Sequence, residues 1–311
     1  MDPIVQQALS VWGIPSASYG LVAARENSVY CIEHEGTRYA LRLHRVGYRS
    51  DIELLSELQW MKAVSNGGIQ VPSPMPSTSG EVLHTIDGVQ VDMLTWLTGT
   101  PLIDHFDKLR AIDRRALFNR LGKTMATLHD MSDAWSPPAG FVRGSWDIDG
   151  LLGDAPLWDR FWENPALAPD QRDVLLHFRE LARAELERLS DHLDFGLIHA
   201  DLVRQNILVD GPSVQLIDFD DGGFGYRIFD IATALLKLKS DGDYSDLHSA
   251  LLQGYTSVRP LDTEALDLFL ALRAMTYVGW NITRIHEAGG QARNAQFIKT
   301  ALTLAHRYID P

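Results

Sequence analysis

Residues 196–223 read GLIHADLVRQNILVDGPSVQLIDFDDGG, and they set the reading of the whole chain. Two short apolar runs, Ile207-Leu208-Val209 and residues 214–217, alternate there with polar loops. Runs this short, bounded by Gly, Pro, Asp and Asn, read as β-strands. On both sides the spacing of apolar residues is helical instead. Residues 114–131, 170–189, 226–238, 244–256, 263–287 and 293–308 each carry a helical period. Before residue 98 the character changes again, to strand-like alternation punctuated by glycine turns. A small β-rich part followed by a larger helical part predicts an α+β chain of two lobes. They cover residues 1–98 and 99–311, with a hinge at about residues 93–98.

The N-terminal part is legible in detail. Asp2 as N-cap and Pro3 at the first helical position open a helix that runs to about residue 12. Residues 27–34 and 37–44 alternate around Glu35-Gly36, a hairpin pattern. Ser50 and Glu53 form a capping box before Ile52, Leu55, Leu58 and Met61, which recur at helical spacing until Asn66-Gly67-Gly68. VPSPMPS, residues 71–77, is too rich in proline for helix or sheet and is read as extended loop. Two shorter strands are expected near residues 82–85 and 89–95, around Asp87-Gly88.

With 311 residues, 45% of them hydrophobic and 22% charged, the chain can bury a substantial core. No apolar run is long enough to span a bilayer, and the N-terminus lacks a signal-peptide pattern. Cys31 is the single cysteine, so no internal disulfide can form and a reducing cytoplasm is the expected setting. Acidic residues exceed basic ones by 41 to 28. That excess repels nucleic acid and anionic membrane, so neither is expected as a partner. It suits a cationic substrate, and it suits solubility equally well.

Chemistry concentrates in the opening stretch. His199, Asp201, Leu202 and Asn206 fit H-x-D-L-x-x-x-N, and Asp218-Phe219-Asp220 begins twelve residues after Asn206. Phosphoryl transfer needs one carboxylate to orient the acceptor hydroxyl and take its proton. It needs a second carboxylate and an amide oxygen to hold Mg²⁺ against a triphosphate. In that order Asp201 is the base, Asn206 and Asp218 are the metal ligands, and His199 braces the loop. Asp and Asn are ordinary turn residues when isolated. Here four polar positions, two strand cores and a following helix fall in sequence.

LIHADLVRQNILVD and LIDFDDGGFGYRIFDIATAL resemble the aminoglycoside phosphotransferase and choline kinase superfamily, which includes type II homoserine kinase-like proteins. RENSVY, YALRLHR, SELQWM, VPSPMP, TWLTGTPL and LGKTMATLHDM resemble further family segments in the same order. The resemblance implies a bilobal protein-kinase-like fold, ATP and Mg²⁺ as cofactors, and a small hydroxylated acceptor held by the larger lobe. It puts Arg42 at the position of the phosphate-binding lysine and Glu57 at that of its helix partner. A guanidinium can fork between Glu57 and a phosphate oxygen. The glycine-rich phosphate loop is replaced by residues 23–28, so close approach to phosphate falls to Asn27 and Ser28. Main-chain groups of residues 93–96, Met93 and Thr95 among them, are expected to meet adenine. Asp230 matches a family aspartate and is read as satisfying free N–H groups at its own helix N-terminus.

On the acceptor side, four of the eight tryptophans lie between residues 135 and 162. Core packing explains any one of them. Together with Asp147, Asp149 and Asp154 they could also line a pocket for an ammonium group. Asp220, Asp221, Trp146 and Tyr226 are the candidate acceptor contacts, and Arg143, Arg160 or Arg227 the candidate partners of a substrate carboxylate. Candidate acceptors are homoserine, choline or ethanolamine, and aminoglycoside-like sugars. Assembly as a homodimer is a further expectation. Two other readings stay open, a protein Ser/Thr kinase of stress-response type and a nucleotide-binding module that transfers nothing.

Overall fold

The computed structural model describes residues 2–24, 27–239 and 241–310. The chain opens with α1 (Pro3–Val11), β1 (Ser18–Ala24), β2 (Ser28–His34), β3 (Thr37–Leu43), α2 (Asp51–Asn66), β4 (Leu83–Ile86) and β5 (Val89–Thr95). It continues through β6 (Thr100–Pro101), α3 (Ala111–Ala134), β7 (Ser145–Trp146), α4 (Ile148–Leu152), α5 (Pro169–Leu189) and β8 (Phe195–Ile198). β9 (Ile207–Asp210), β10 (Ser213–Leu216), β11 (Gly223–Tyr226), α6 (Arg227–Leu236), α7 (Tyr244–Thr256), α8 (Leu266–Trp280) and α9 (Gly290–Ile309) complete it. Two compact units result. The first comprises residues 1–107, 130–143 and 205–220, and the second residues 108–129, 144–204 and 221–311.

The first unit is built on an antiparallel sheet of order β1-β2-β3-β5-β4. Both expected hairpins form. Their turns place Glu35 and Gly36 at φ 49° and 76°, and Asp87 and Gly88 at φ 49° and 81°. Two successive positive φ values match the right-handed strand twist, which is why glycine stands second in each pair. Asp2 Oδ1 accepts the Ile4 N–H at 3.0 Å, and the Ser50–Glu53 capping box is present. Val5, Ala8 and Leu9 of α1 pack on Ile32, Leu41, Val91 and Met93 of the sheet. A smaller sheet, β10-β9-β6, belongs to the same unit. Residues 130–143 are tied in by two bonds to α2. Trp60 Nε1–H donates to Ser132 Oγ at 3.0 Å, and Val142 N–H donates to Ser56 Oγ at 2.9 Å.

In the second unit β11 lies between β7 and β8, and α8 packs against α6 and α9. Every residue of α6 is buried, as are all those of α8 but Asp267 and Trp280. α3 and α7 cross where Gly122 and Gly254 face backbone. A side chain at either would collide with the carbonyl of Leu251 or of Asn119. The expected helix over residues 263–287 is shorter. It ends at Trp280, and the Asn281 amide that follows donates to Gly290 O and Asn294 Oδ1. α6 starts one residue late because Tyr226 still belongs to β11.

Candidate active site

Within the second unit, β8 delivers His199, Ala200 and Asp201 into a loop held from below by α6. Asp230 is fully buried and accepts the N–H groups of His199 at 2.9 Å and Ala200 at 2.7 Å. Its expected work at its own helix terminus is thus done for the neighbouring loop instead. Those two bonds hold Ala200 at φ 65°, a left-handed conformation that costs an alanine about 1 kcal/mol or more. Burial holds the His129 imidazole neutral by pushing its pKa down. His129 therefore donates from Nε2 to Asp230 Oδ2 at 3.1 Å and accepts from the Tyr255 hydroxyl at Nδ1, at 2.8 Å. Burial also pushes the Asp230 carboxyl up, but the His129 bond and the His199 N–H outweigh it and leave it below the usual range.

His199 is buried, and its Nδ1 accepts the Asp201 N–H at 3.4 Å. The Asp201 side chain is 22% exposed, and its Oδ1 accepts a bond from Arg273 Nη2 at 2.5 Å. Nothing in the local sequence announced that partner, which lies 72 residues downstream.

Asn206 and Asp218 belong to the first unit. The Asn206 carbonyl accepts the Ile217 N–H at 3.0 Å, which sets Asn206 beside the residue preceding Asp218. Asp218 is at φ 68°, and Phe219 turns inward to meet Trp60 edge-on with ring centroids 5.0 Å apart. One carboxylate and one amide are hard oxygen donors and suit Mg²⁺ that takes its other ligands from phosphate and water. Among the described residues no group of three or more His, Cys, Asp or Glu could hold a metal ion by protein ligands alone. The donor pair fits the ion expected.

Arg42 pairs with Glu57, Nη1 to Oε1 at 2.7 Å. Sequence reasoning missed a second carboxylate. β3 and β5 run antiparallel with Arg42 opposite Asp92, and Asp92 takes both Nε (2.9 Å) and Nη2 (2.7 Å) in a bidentate fork. His44 Nε2 lies 2.7 Å from Asp92 Oδ2. Burial pushes the Asp92 and Glu57 carboxyls up. The Arg42 guanidinium outweighs it, and both end below their usual range, Asp92 far below. Arg143 completes the cluster. Its Nη1 sits 3.6 Å from Glu57 Oε2, and its Nη2 donates to the carbonyls of Phe219 (2.9 Å) and Asp220 (2.5 Å). The helix carrying Glu57 is thereby strapped to the loop that follows Asp218.

Several expectations are corrected. Met93 O accepts the Met75 N–H and Thr95 N–H donates to Ser73 O, so the Thr95 N–H is engaged within the protein, while Met93 O keeps its second lone pair. Trp96, just past the strand, is the residue of that stretch to test. Asn27 Oδ1 accepts the Arg45 N–H, and Ser28 begins β2 opposite Ala24 and Leu43, while Arg25 and Glu26 lie outside the described residues. Trp146 is buried, stacked on Phe229 and bonded through Nε1–H to Asp221 O. Tyr226 is buried between Phe195 and Phe269. Both are core residues, since neither leaves a ring face for an acceptor. Asp221 is held by Trp158, whose Nε1–H donates to its Oδ1 at 3.2 Å. Asp220 is buried, and that burial and the charge of Glu57 push its carboxyl up. The candidate carboxylate partners are engaged elsewhere: Arg143 as above, Arg227 on Leu197 O, and Arg160 on Asp154 O.

A pH dependence follows from these groups. Asp92, Asp230 and Glu57 are depressed from 3.8, 3.8 and 4.5, so the unfolded chain binds their protons first. Their stabilisation is complete above those values and is lost as pH falls below them. His129, depressed from 6.5, acts in the same direction over a higher window. Urea unfolding between pH 7 and 3 should show stability declining gently below 6.5 and steeply below 4.5. A rise in stability over the lower window would refute the charged assignment of the buried clusters.

The profile of the phosphotransferase enzyme family matches residues 20–268. An aminopropanol kinase associated with a microcompartment has the same fold, with a TM-score of 0.85. It is 31% identical, over 98% of this chain and 97% of its own. An amicoumacin kinase solved with AMP-PNP and Ca²⁺ superposes with a TM-score of 0.78 at 23% identity, over 97% and 94% of the two chains. A homoserine kinase of Phenylobacterium zucineum is 27% identical, over 88% of this chain and 81% of its own. The motifs and the kinase-like fold thus agree with the match along the chain, which belongs to the phosphotransferase enzyme family.

Proposed function

We propose that this protein transfers the γ-phosphoryl group of ATP to the hydroxyl of a small amine-bearing molecule, an amino alcohol being the first acceptor to consider. The observation that carries the reading is Asp201, half-sheltered at the tip of a strained loop that Asp230 anchors and His199 braces. Its carboxylate takes the proton of the acceptor hydroxyl as the acceptor oxygen bonds to the γ-phosphorus. The bond from that phosphorus to the β,γ-bridging oxygen breaks, and ADP leaves. Asn206 and Asp218 would hold Mg²⁺, whose charge offsets that of the triphosphate. Arg42 would meet a phosphate through the second N–H groups of Nη1 and Nη2, the first being engaged by Glu57 and Asp92. Residues 1–98 are assigned to the nucleotide, and residues 99–311 to the catalytic loop and the acceptor.

Three considerations favour an amine without a carboxylate. The chain carries a formal charge of −13. Each arginine put forward to meet a substrate carboxylate already bonds protein oxygens. The relative at 31% identity is an aminopropanol kinase. A protein substrate gains no support, and a non-catalytic module is opposed by the presence of Asp201, Asn206 and Asp218 together. ADP release should be measured with aminopropanol, ethanolamine, choline, homoserine, methylthioribose and an aminoglycoside. An amino alcohol should exceed homoserine in kcat/KM by about tenfold or more, a difference of about 1.4 kcal/mol. If homoserine outran every amino alcohol, the preference for an acceptor without a carboxylate would fall; if methylthioribose did, the amine reading itself would fall.

A further inference from the structure

α8 reads LDLFLALRAMTYVGW, an apolar helix with one basic residue, and that residue is fully buried. Stripping a guanidinium of water is expensive unless an anion and fixed dipoles replace the hydration shell. Arg273 finds the anion in Asp201, Nη2 to Oδ1 at 2.5 Å, and a second acceptor in the Tyr277 hydroxyl at 3.2 Å. Its other nitrogens, Nε and Nη1, have no hydrogen-bond partner among the described residues. Three rings surround the group instead, with centroids 4.4 Å (Tyr277), 4.6 Å (Trp158) and 5.4 Å (Phe229) from Cζ. Their negative faces attract the cation and hold its plane. Trp158 is itself fixed by its bond to Asp221. The faces that could have received a substrate ammonium are therefore occupied by the protein's own guanidinium.

The carboxylate bonded to this buried arginine is that of the proposed base, and Asp221 adds its charge at longer range. We propose that Arg273 is a positioning residue for phosphoryl transfer. Its guanidinium, clamped between Trp158, Tyr277 and Phe229, holds the Asp201 carboxylate in the single orientation that receives the acceptor proton. The proposal rests on Asp201 being the base. It assigns Arg273 no contact with nucleotide or acceptor, and it gives the aromatic cluster the task of fixing a side chain rather than binding substrate. A lysine would supply charge without the planar fork, so it should substitute only in part.

The test is a mutant cycle on the full chain, with kcat and both KM values measured for Arg273→Met, Arg273→Lys and Asp201→Asn, and for each Arg273 variant combined with Asp201→Asn. Arg273→Met keeps an unbranched apolar stem in the cradle and removes the guanidinium. It should lower kcat by about 100-fold while the KM values for ATP and acceptor stay within about twofold. Arg273→Lys should recover part of that loss. In the Asp201→Asn background either substitution should change kcat by less than about twofold, because the group it acts through is gone. An undiminished kcat in Arg273→Met, or the same loss in both backgrounds, overturns the inference and leaves Asp201 as base. Full turnover in Asp201→Asn alone overturns the base reading and this inference with it. If Arg273→Met does not fold, Arg273→Lys carries the same cycle, and its kcat loss must vanish beside Asp201→Asn.

Discussion

Asp201→Asn is expected to lower turnover on the order of 10²-fold or more, with nucleotide affinity unchanged within about twofold. The substitution is nearly isosteric. The amide oxygen of Asn can still accept from Arg273, and the loop keeps its anchors at Asp230 and its brace at His199. What disappears is the negative oxygen proposed to accept the proton. Arg273 is left without its anion, so urea unfolding should record a cost. The anchors at Asp230 and His199 do not involve that charge, and in the folded protein the loss should fall on kcat. Isothermal titration with a non-hydrolysable nucleotide, set beside steady-state ADP release, separates the two quantities. Parallel loss of binding and turnover would make Asp201 a structural residue.

Arg42→Ala should act on the fold before it acts on the nucleotide. Arg42 answers two buried carboxylates, Glu57 and Asp92, whose side chains have no exposed area. Truncating the guanidinium leaves both without their main counter-charge, and breaking a buried pair from one side costs about 3–5 kcal/mol. Urea unfolding should register that loss. Nucleotide affinity in the folded fraction should weaken by about 1.5–3 kcal/mol, the scale of a charged hydrogen bond. Arg42→Lys should restore part of each, since an ammonium reaches one carboxylate but cannot fork across Asp92. Stability within 1 kcal/mol of the parent, with unchanged affinity, would show the cluster to be dispensable.

Elements whose chemistry is local were legible in the sequence. The Asp2 cap, the Ser50–Glu53 box and both hairpins depend on residues within a few positions of one another. The Arg42–Glu57 pair was legible through its motif, and so was the brace from His199 to the Asp201 N–H. Partners fixed by tertiary register were not. Asp92 meets Arg42 only because β5 returns beside β3, and nothing in the sequence between two residues 50 positions apart gives a sign of that register. Trp146 and Tyr226 carry the composition of a binding site yet pack as core, because burial is a property of the folded unit. Arg273 did leave a trace. A lone arginine in an apolar helix calls for a buried anion, and that question could have been asked of the sequence alone. Asp201 as its partner could not have been named.

The first unit is assembled from three separate stretches of chain, and this bears on how the protein is made. Residues 1–107 contain the large sheet, but β6 has its partner strand β9 only after residue 207. The contacts of Trp60 with Ser132 and Phe219 likewise wait for later segments. On a ribosome adding about 5–20 residues per second, the unit stays incomplete for on the order of ten seconds after its first stretch emerges. Throughout that interval Leu58, Trp60 and Met61, destined for burial, lack part of their cover. The N-terminal segment is therefore the part of the nascent chain most in need of protection from aggregation, and a gene fragment ending at residue 107 encodes an unfinished core.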